Sequence, residues 1–300
     1  MGSLTFVVPP AFDGQTVQSF LRMGCGLSWR MVVKLKRVCD GITVDGEHKR
    51  TIDRVSVGQT VTVNMPEDAV KIEAASIPLQ VAFEDEQLLV VDKPPFLAVH
   101  PSAGKPEPTL ANAVVGYFAE RGENLSFRPI SRLDRNTSGL LPIAKNPHIA
   151  FAMAHSIEKT YLAIVCGELT GEGLIDQPIR VKEGSLITRE VGEGGKESKT
   201  LWRSLGTDGE VSLILVKLLT GRTHQIRVHL SHLGYPLVGD TMYGTDTALP
   251  RHALHCTRLC FSHPVTGEKT GLHSPLPPDM AEFLETHNIR RIIDDQSLCI

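Results

Sequence analysis

Ser131-Arg132-Leu133-Asp134-Arg135-Asn136-Thr137-Ser138-Gly139-Leu140-Leu141 places one acid in a basic, turn-forming loop that runs into an apolar stretch. Arg132 and Arg135 bracket Asp134, Asn-Thr-Ser-Gly has the composition of a tight turn, and Leu140, Leu141 and Ile143 open a buried strand. An acid between two arginines keeps its charge and faces whatever anion they attract. Taken alone, an R-x-D loop is more often a surface salt bridge than a catalyst, so the decision rests on what accompanies it.

Three other segments bear on it. Thr220-Gly221-Arg222-Thr223 reads as a turn into a helix from about His224 to Leu233, closed by Gly234 and Pro236, with Ile226, Leu230 and Leu233 on one face. The N-terminus of such a helix, with Arg222 and the Thr223 hydroxyl, suits a phosphate; an ordinary capped amphipathic helix has the same outline. Tyr161, in the strand Thr160 to Val165, would by itself be a core residue. Asp92-Lys93-Pro94-Pro95 ends a hairpin strand, and a proline-rich loop leads to a helix from Thr109 to Ala119.

Together these strings, R-L-D-x-x-T-S-G-L, T-G-R-x-H-Q-I-R-x-H, K-x-Y-x-A and D-K-P-P followed by V-H-P, resemble RluA-type pseudouridine synthases over about residues 81 to 285. The resemblance implies an α+β catalytic fold with a bent, mostly antiparallel central sheet and a site in a cleft across it. It implies isomerisation of uridine to pseudouridine in RNA without cofactor or metal. Asp134 would be the nucleophile or base, attacking the ribose, adding to the pyrimidine ring, or removing the 2′ proton to give a glycal. Arg227 would be its ion-pair partner, Tyr161 the floor under the base with a share in proton transfer, and Arg132 the group that fills the space left by the flipped base. Arg135, Arg222, Thr223 and His224 complete the RNA-binding set around the cleft. Departures from the family pattern are Ser131 in place of a frequent histidine, Asn136 in place of a frequent aspartate, and a loose fit over Lys196 to Trp202.

Residues 1–64 read as a small α/β domain. Ser28 caps a helix to about Val38 with Arg30, Lys34 and Arg37 on one face and Met31, Leu35 and Val38 on another. The strands Ile42–Val44 and Thr60–Val63 follow, with an Asp45-Gly46 turn after the first. A solvated helix face has the same spacing. The order of elements resembles the alpha-L RNA-binding domain that commonly precedes RluA-type catalytic domains, which implies RNA contact by Arg30, Lys34 and Arg37. Residues 65–80 read as a linker, and 81–300 as the catalytic domain.

The chain's 300 residues, 41% hydrophobic and 22% charged, are ordinary for a globular protein, and its net charge of −3 counts against RNA binding only if charge is spread evenly. No stretch approaches the roughly 18 apolar residues of a membrane span, so the chain is read as cytoplasmic; a monomer is expected. Six scattered cysteines without C-x-x-C pairs read as reduced thiols. His252, His255, Cys256, Cys260 and His263 crowd together, as do His224, His229 and His232, but neither spacing brings ligands to one point; His224 and His229 would stand about 140° apart on a helix. Gly192 to Lys196 reads as a hairpin loop, with phosphate contact open to Lys196 or Lys199. Large-subunit ribosomal RNA is the favoured substrate over transfer RNA. The competing readings are a catalytically silent RNA-binding or ribosome-assembly factor, a tRNA-directed synthase, and a hydrolase using Asp134.

Overall fold

A computed structural model of the chain describes residues 3–64, 72–101, 108–154 and 156–289. The chain divides into two compact units: the residues up to 72 together with 146–151, and the remainder. Among the described residues no helix is long and apolar enough to cross a membrane.

In the first unit, β1 (Ser3–Val7), β2 (Ile42–Val44), β3 (Glu47–His48) and β4 (Thr60–Asn64) form an antiparallel sheet in the order β1-β4-β2-β3. The alternation Thr-Val-Thr-Val buries Val61 and Val63, as a period of two requires. Asp45 and Gly46 both take positive φ, 51° and 86°, as a two-residue hairpin between twisted strands demands. Helix α1 (Val17–Ser19) and helix α2 (Trp29–Leu35) cover the sheet's core, and the Ser28 hydroxyl accepts the Met31 N–H to cap α2. The buried face of α2 is Val32 and Leu35, with Met31 half-buried, one position away from the face expected. The helix stops at Leu35 because Gly41 turns the chain back against the Leu35 carbonyl, where a Cβ would not fit. Arg37 therefore lies beyond the helix, and it is exposed like Arg30 and Lys34.

The second unit contains β5 (Gln80–Glu84), β6 (Leu88–Lys93), α3 (Leu110–Glu120), β7 (Ser138–Ala144), β8 (Glu158–Cys166), β9 (Glu172–Asp176), β10 (Ile179–Val181), β11 (Arg189–Val191), β12 (Lys199–Thr207), β13 (Val211–Leu218), α5 (Gln225–His232), β14 (Leu254–Ser262), β15 (Lys269–His273) and α6 (Pro278–Thr286). The short helix α4 (Pro147–Ala152) falls between β7 and β8, mostly in the segment grouped with the first unit. The main sheet runs β5-β6-β7-β14-β8-β13-β12-β9, with β15 also paired to β14. Every pairing in it is antiparallel except β7 with β14. Seven buried residues in succession in β7 and six in β13, all apolar apart from Ser138 and Ser212, reflect strands that lie in the sheet interior. The fold is α+β, as expected.

Of the stretch read as linker, residues 65–71 lie outside the described residues, and the rest is not a free connection. The Ala75 N–H donates to Asn112 O on α3 at 3.0 Å, Asn112 Nδ2 returns a bond to Glu73 O at 2.9 Å, and Gly116 makes room for the Ala75 carbonyl.

Candidate active site

The loop from Asp134 to Gly139 is held residue by residue from beneath. Fully buried Lys93, at the end of β6, donates to the carbonyls of Pro94, Leu97 and Arg135 at 2.7, 3.0 and 3.0 Å. Arg251, also buried, is bound to Asp279 by two bonds of 2.7 and 2.9 Å and gives its remaining nitrogen to Asn136 O at 3.2 Å. Thr137 Oγ meets His252 Nε2 at 2.8 Å and Ser138 Oγ meets His255 Nδ1 at 3.0 Å. Gly139 takes φ 108° where β7 meets β14, and a Cβ there would overlap the Cys256 backbone. The Thr-Ser-Gly following the acid is thus a set of anchors as well as a turn. Ser131 Oγ, at the other end of the loop, is buried without a hydrogen-bond partner.

His252 and His255 are satisfied core histidines. Burial pushes their pKa values down to about 3 and about 4, so both are neutral in the folded protein at neutral pH. In the unfolded chain they bind protons near pH 6.5, so between that value and about 4 the unfolded state holds more protons and acid favours it. Each histidine is expected to remove about 1.4 kcal/mol of stability per pH unit as pH falls through this window. Urea unfolding of the wild type and His255→Asn between pH 7 and 4.5 checks this: the variant's stability should fall less steeply, and equal slopes would contradict the assignment.

Above this base, Arg227 on α5 donates Nη1 to Asp134 Oδ2 at 3.2 Å. Its stronger partner is Asp240, gripped through two bonds of 2.7 and 2.8 Å. Burial works against the Arg227 charge, but Asp240 and then Asp134 outweigh it, leaving its pKa above the ordinary value. Burial likewise opposes the charge on Asp240, and Arg227 prevails to hold that carboxyl low. Asp134 remains 28% exposed while the Arg227 and Asp240 side chains are 7% and 1% exposed. The outer acid is therefore open to a ligand, and the inner pair fixes the guanidinium that faces it.

An open cleft of about 360 Å³ contains Asp134 and Arg227 together with Arg132, Tyr161, Arg222 and His224. Arg132 is exposed. Tyr161, on β8, is 3% exposed and pairs in register with Cys256 across the β8–β14 pair. Burial, and then Cys256 and Asp134, drive its pKa well above the phenol range. Arg222 reaches the cleft but gives Nε to Glu197 O at 3.0 Å. Arg135 and Thr223 are exposed yet do not line the cleft, and Arg135 Nε is committed to Phe96 O at 3.1 Å. Arg30, Lys34 and Arg37 belong to the first unit.

Helix α5 ends as expected: Gly234 has φ 88°, its N–H bonds Ser231 O, and the Tyr235 N–H bonds Leu230 O. Its burial pattern differs from the stripe expected. Every residue from Gln225 to Leu230 is buried, whereas Leu233 is 40% exposed. Gln225 and His229 are buried polar anchors, Gln225 accepting from Arg222 N and Thr220 Oγ, and His229 bonding Thr200 Oγ and Gln177 O. Lys199 is occupied by Asp176 and Glu197 at 3.3 and 3.0 Å, so its suggested phosphate contact is not available as an unpaired charge. No three His, Cys, Asp or Glu side chains among the described residues gather as metal ligands.

The geometry defines an aspartate-centred site for a ligand that meets both a carboxylate and fixed cations. A family profile described as RNA pseudouridylate synthase matches residues 87–232, which contain the Asp134 loop, Tyr161 and α5. The chain is 36% identical over 281 residues to Ribosomal large subunit pseudouridine synthase D of Vibrio vulnificus (strain CMCP6), covering 86% of this chain and 85% of that one. It is 34% identical over 272 residues to a Bacillus subtilis (strain 168) protein, YjbO, described as an uncharacterized RNA pseudouridine synthase, covering 88% of this chain and 96% of the relative. The solved structure of human RNA Pseudouridylate Synthase Domain Containing 1 superimposes with TM-score 0.54 at 26% identity, over 76% of this chain and all of that one. Human RNA Pseudouridylate Synthase Domain Containing 4 shares the fold, with TM-score 0.56 at 21% identity over 70% of this chain and 93% of that one. The chain belongs to the RNA pseudouridine synthases of the RluA type.

Proposed function

We propose that this protein isomerises uridine to pseudouridine in large-subunit ribosomal RNA, in the cytoplasm and as a monomer, with Asp134 as the reacting group. The observation that carries the reading is the half-open Asp134 carboxylate, bonded to a buried arginine that Asp240 fixes from behind. The ribosomal target rests on relatives that carry ribosomal large subunit synthase names.

The reaction detaches uracil from C1′, turns it, and rejoins it through C5, so the nucleotide must first leave its stack. Arg132, exposed at the cleft, suits the space the base vacates, and Arg222 suits a flanking phosphate. Product and substrate contain the same atoms, so the reaction calls for no redox partner or co-substrate. Arg227 orients Asp134 through a charge-assisted bond. Tyr161 serves as the surface under the base; a phenol this buried, with its pKa driven well above the ordinary value, is a poor proton carrier, so we do not assign it proton transfer. Arg30, Lys34 and Arg37 add RNA contacts in the first unit.

Pseudouridine mapping of total RNA from a strain lacking the gene tests the target. Loss of pseudouridine at one or a few large-subunit rRNA positions is expected, restored by the wild-type gene. Loss confined to transfer RNA would move the substrate, and an unchanged map would overturn the reading.

A further inference from the structure

His224 is held in a way that starting a helix does not require. It takes φ 58° and ψ 18° ahead of Gln225, a left-handed conformation that costs a non-glycine residue about 1 kcal/mol or more. Its side chain is 14% exposed, with Nδ1 2.8 Å from the Tyr243 hydroxyl. That hydroxyl accepts the Arg189 N–H at 2.9 Å and has its own proton available for His224 Nδ1. Tyr243 is itself fixed: its ring stands edge-on to the imidazole and lies 4.9 Å beneath the Arg227 guanidinium. Burial, opposed by Asp134 and aided by Arg227, holds the imidazole pKa below its ordinary value. We assign the ring's N–H to Nε2, the tautomer in which Nδ1 accepts the Tyr243 proton. Nε2 lies 3.8 Å from Asp134 Oδ2, too far for a hydrogen bond. The carboxylate therefore does not take up this donor, and both residues line the cleft.

Resting on the pseudouridine reading above, we infer that His224 is a catalytic hydrogen-bond donor whose Nε2–H binds the uracil O2 of the extruded nucleotide. Whichever route Asp134 takes, the C1′–N1 bond must break with its electron pair passing to the uracil, where the charge spreads over N1, O2 and O4. O2 sits beside N1, close to the sugar carbons that Asp134 approaches, and a fixed donor there stabilises charge as it develops. The proton stays on Nε2. The pair returns to C1′ when C5 forms the new bond, and C5 then loses its proton while N1 gains one, so nothing is oxidised or reduced. Tyr243 is a positioning residue, holding the tautomer that keeps the donor on the cleft side.

The test uses the full-length protein and a synthetic RNA spanning the uridine located by the mapping above, under single-turnover conditions. His224→Ala and His224→Gly are expected to slow pseudouridine formation by about 10²–10³-fold, the usual loss for one such donor, with RNA Kd changed less than about twofold. His224→Gly relieves the backbone strain and should melt no lower than wild type, which separates the loss of rate from misfolding. His224→Gln, whose amide nitrogen reaches near the position of Nε2, should recover at least tenfold of the Ala loss, and Tyr243→Phe should slow the reaction by about tenfold. With 2-thiouridine at the target, whose sulfur is a weak acceptor, the wild type should slow and the Ala penalty should shrink to under about threefold. An Ala variant as fast as wild type, or a penalty equal on oxygen and sulfur substrates, overturns the role of His224 alone. A wild type that makes no pseudouridine in the mapped RNA overturns the reading beneath it.

Discussion

Asp134→Asn is expected to give a folded protein that binds RNA and forms pseudouridine at least about 10⁴-fold more slowly, the scale on which enzymes lose turnover when a reacting group is removed. The amide matches the carboxylate in shape, so the loop anchors at Lys93, Arg251, His252 and His255 stay satisfied. Arg227 exchanges a charge-assisted bond of 3.2 Å for one to the amide oxygen and keeps the two shorter ones to Asp240. Because Asp134 is partly exposed, the stability change should stay within about 1 kcal/mol. RNA affinity resides mainly in cations and should hold or rise slightly when a nearby negative charge is removed. Single-turnover assays, filter binding and thermal melting of one preparation check all three. A variant with at least a tenth of wild-type rate would show that Asp134 is not the reacting group.

The second large effect lies one residue deeper. Asp240→Ala removes the bidentate partner of a buried guanidinium and an acceptor for the Met242 and Tyr243 N–H groups. Breaking one side of a buried pair costs about 3–5 kcal/mol, and the midpoint of urea unfolding should fall accordingly. Turnover should fall as well, by about 10²-fold, because Arg227 no longer has a fixed position against Asp134. The coupling separates this from loss of a cap. Arg227→Met with Asp240→Asn should cost clearly less than the sum of the two single changes, by about 2 kcal/mol, since neither charge is then stranded. Additive costs, or an Asp240→Ala penalty under about 1 kcal/mol, would mean that the pair is not what holds Arg227.

The elements that sequence alone made legible are those whose composition states their geometry locally. Asp45-Gly46 needs positive φ and has it, Gly234 closes α5, and the Asp85 side chain caps the turn between β5 and β6 by accepting the Gln87 and Leu88 N–H groups. The apolar runs of β7 and β13 were readable because interior strands carry no polar alternation. Strands β9, β10 and β11 were not: they are three to five residues long and mostly exposed or half-buried, so no run or alternation marks them. In the site, Asp134, Tyr161, Arg222, His224 and Arg227 all line one cleft, although 93 positions separate Asp134 from Arg227. Asp240 stayed hidden because its function is a contact, made from a turn that reads as ordinary Gly-Asp. Lys93 stayed hidden for a related reason: a buried cation whose partners are backbone carbonyls leaves no complementary residue to find in the sequence, and Arg251 because its carboxylate partner, Asp279, lies 28 positions away on α6. The histidines at 252 and 255 suggested metal by their density and proved to be hydrogen-bonded to the two hydroxyls that follow the reactive loop.

The most direct measurement is tritium release from large-subunit ribosomal RNA labelled at uridine C5, because the C5 hydrogen departs only when C5 bonds to the sugar. Purified wild-type protein, without added cofactor, should release tritium in a fixed ratio to the number of mapped target uridines, and Asp134→Asn at equal concentration should release none above background. Release by the Asp134→Asn protein at a rate near wild type, or none by the wild type on any cellular RNA, would contradict the assignment of Asp134 as the reacting group of a pseudouridine synthase.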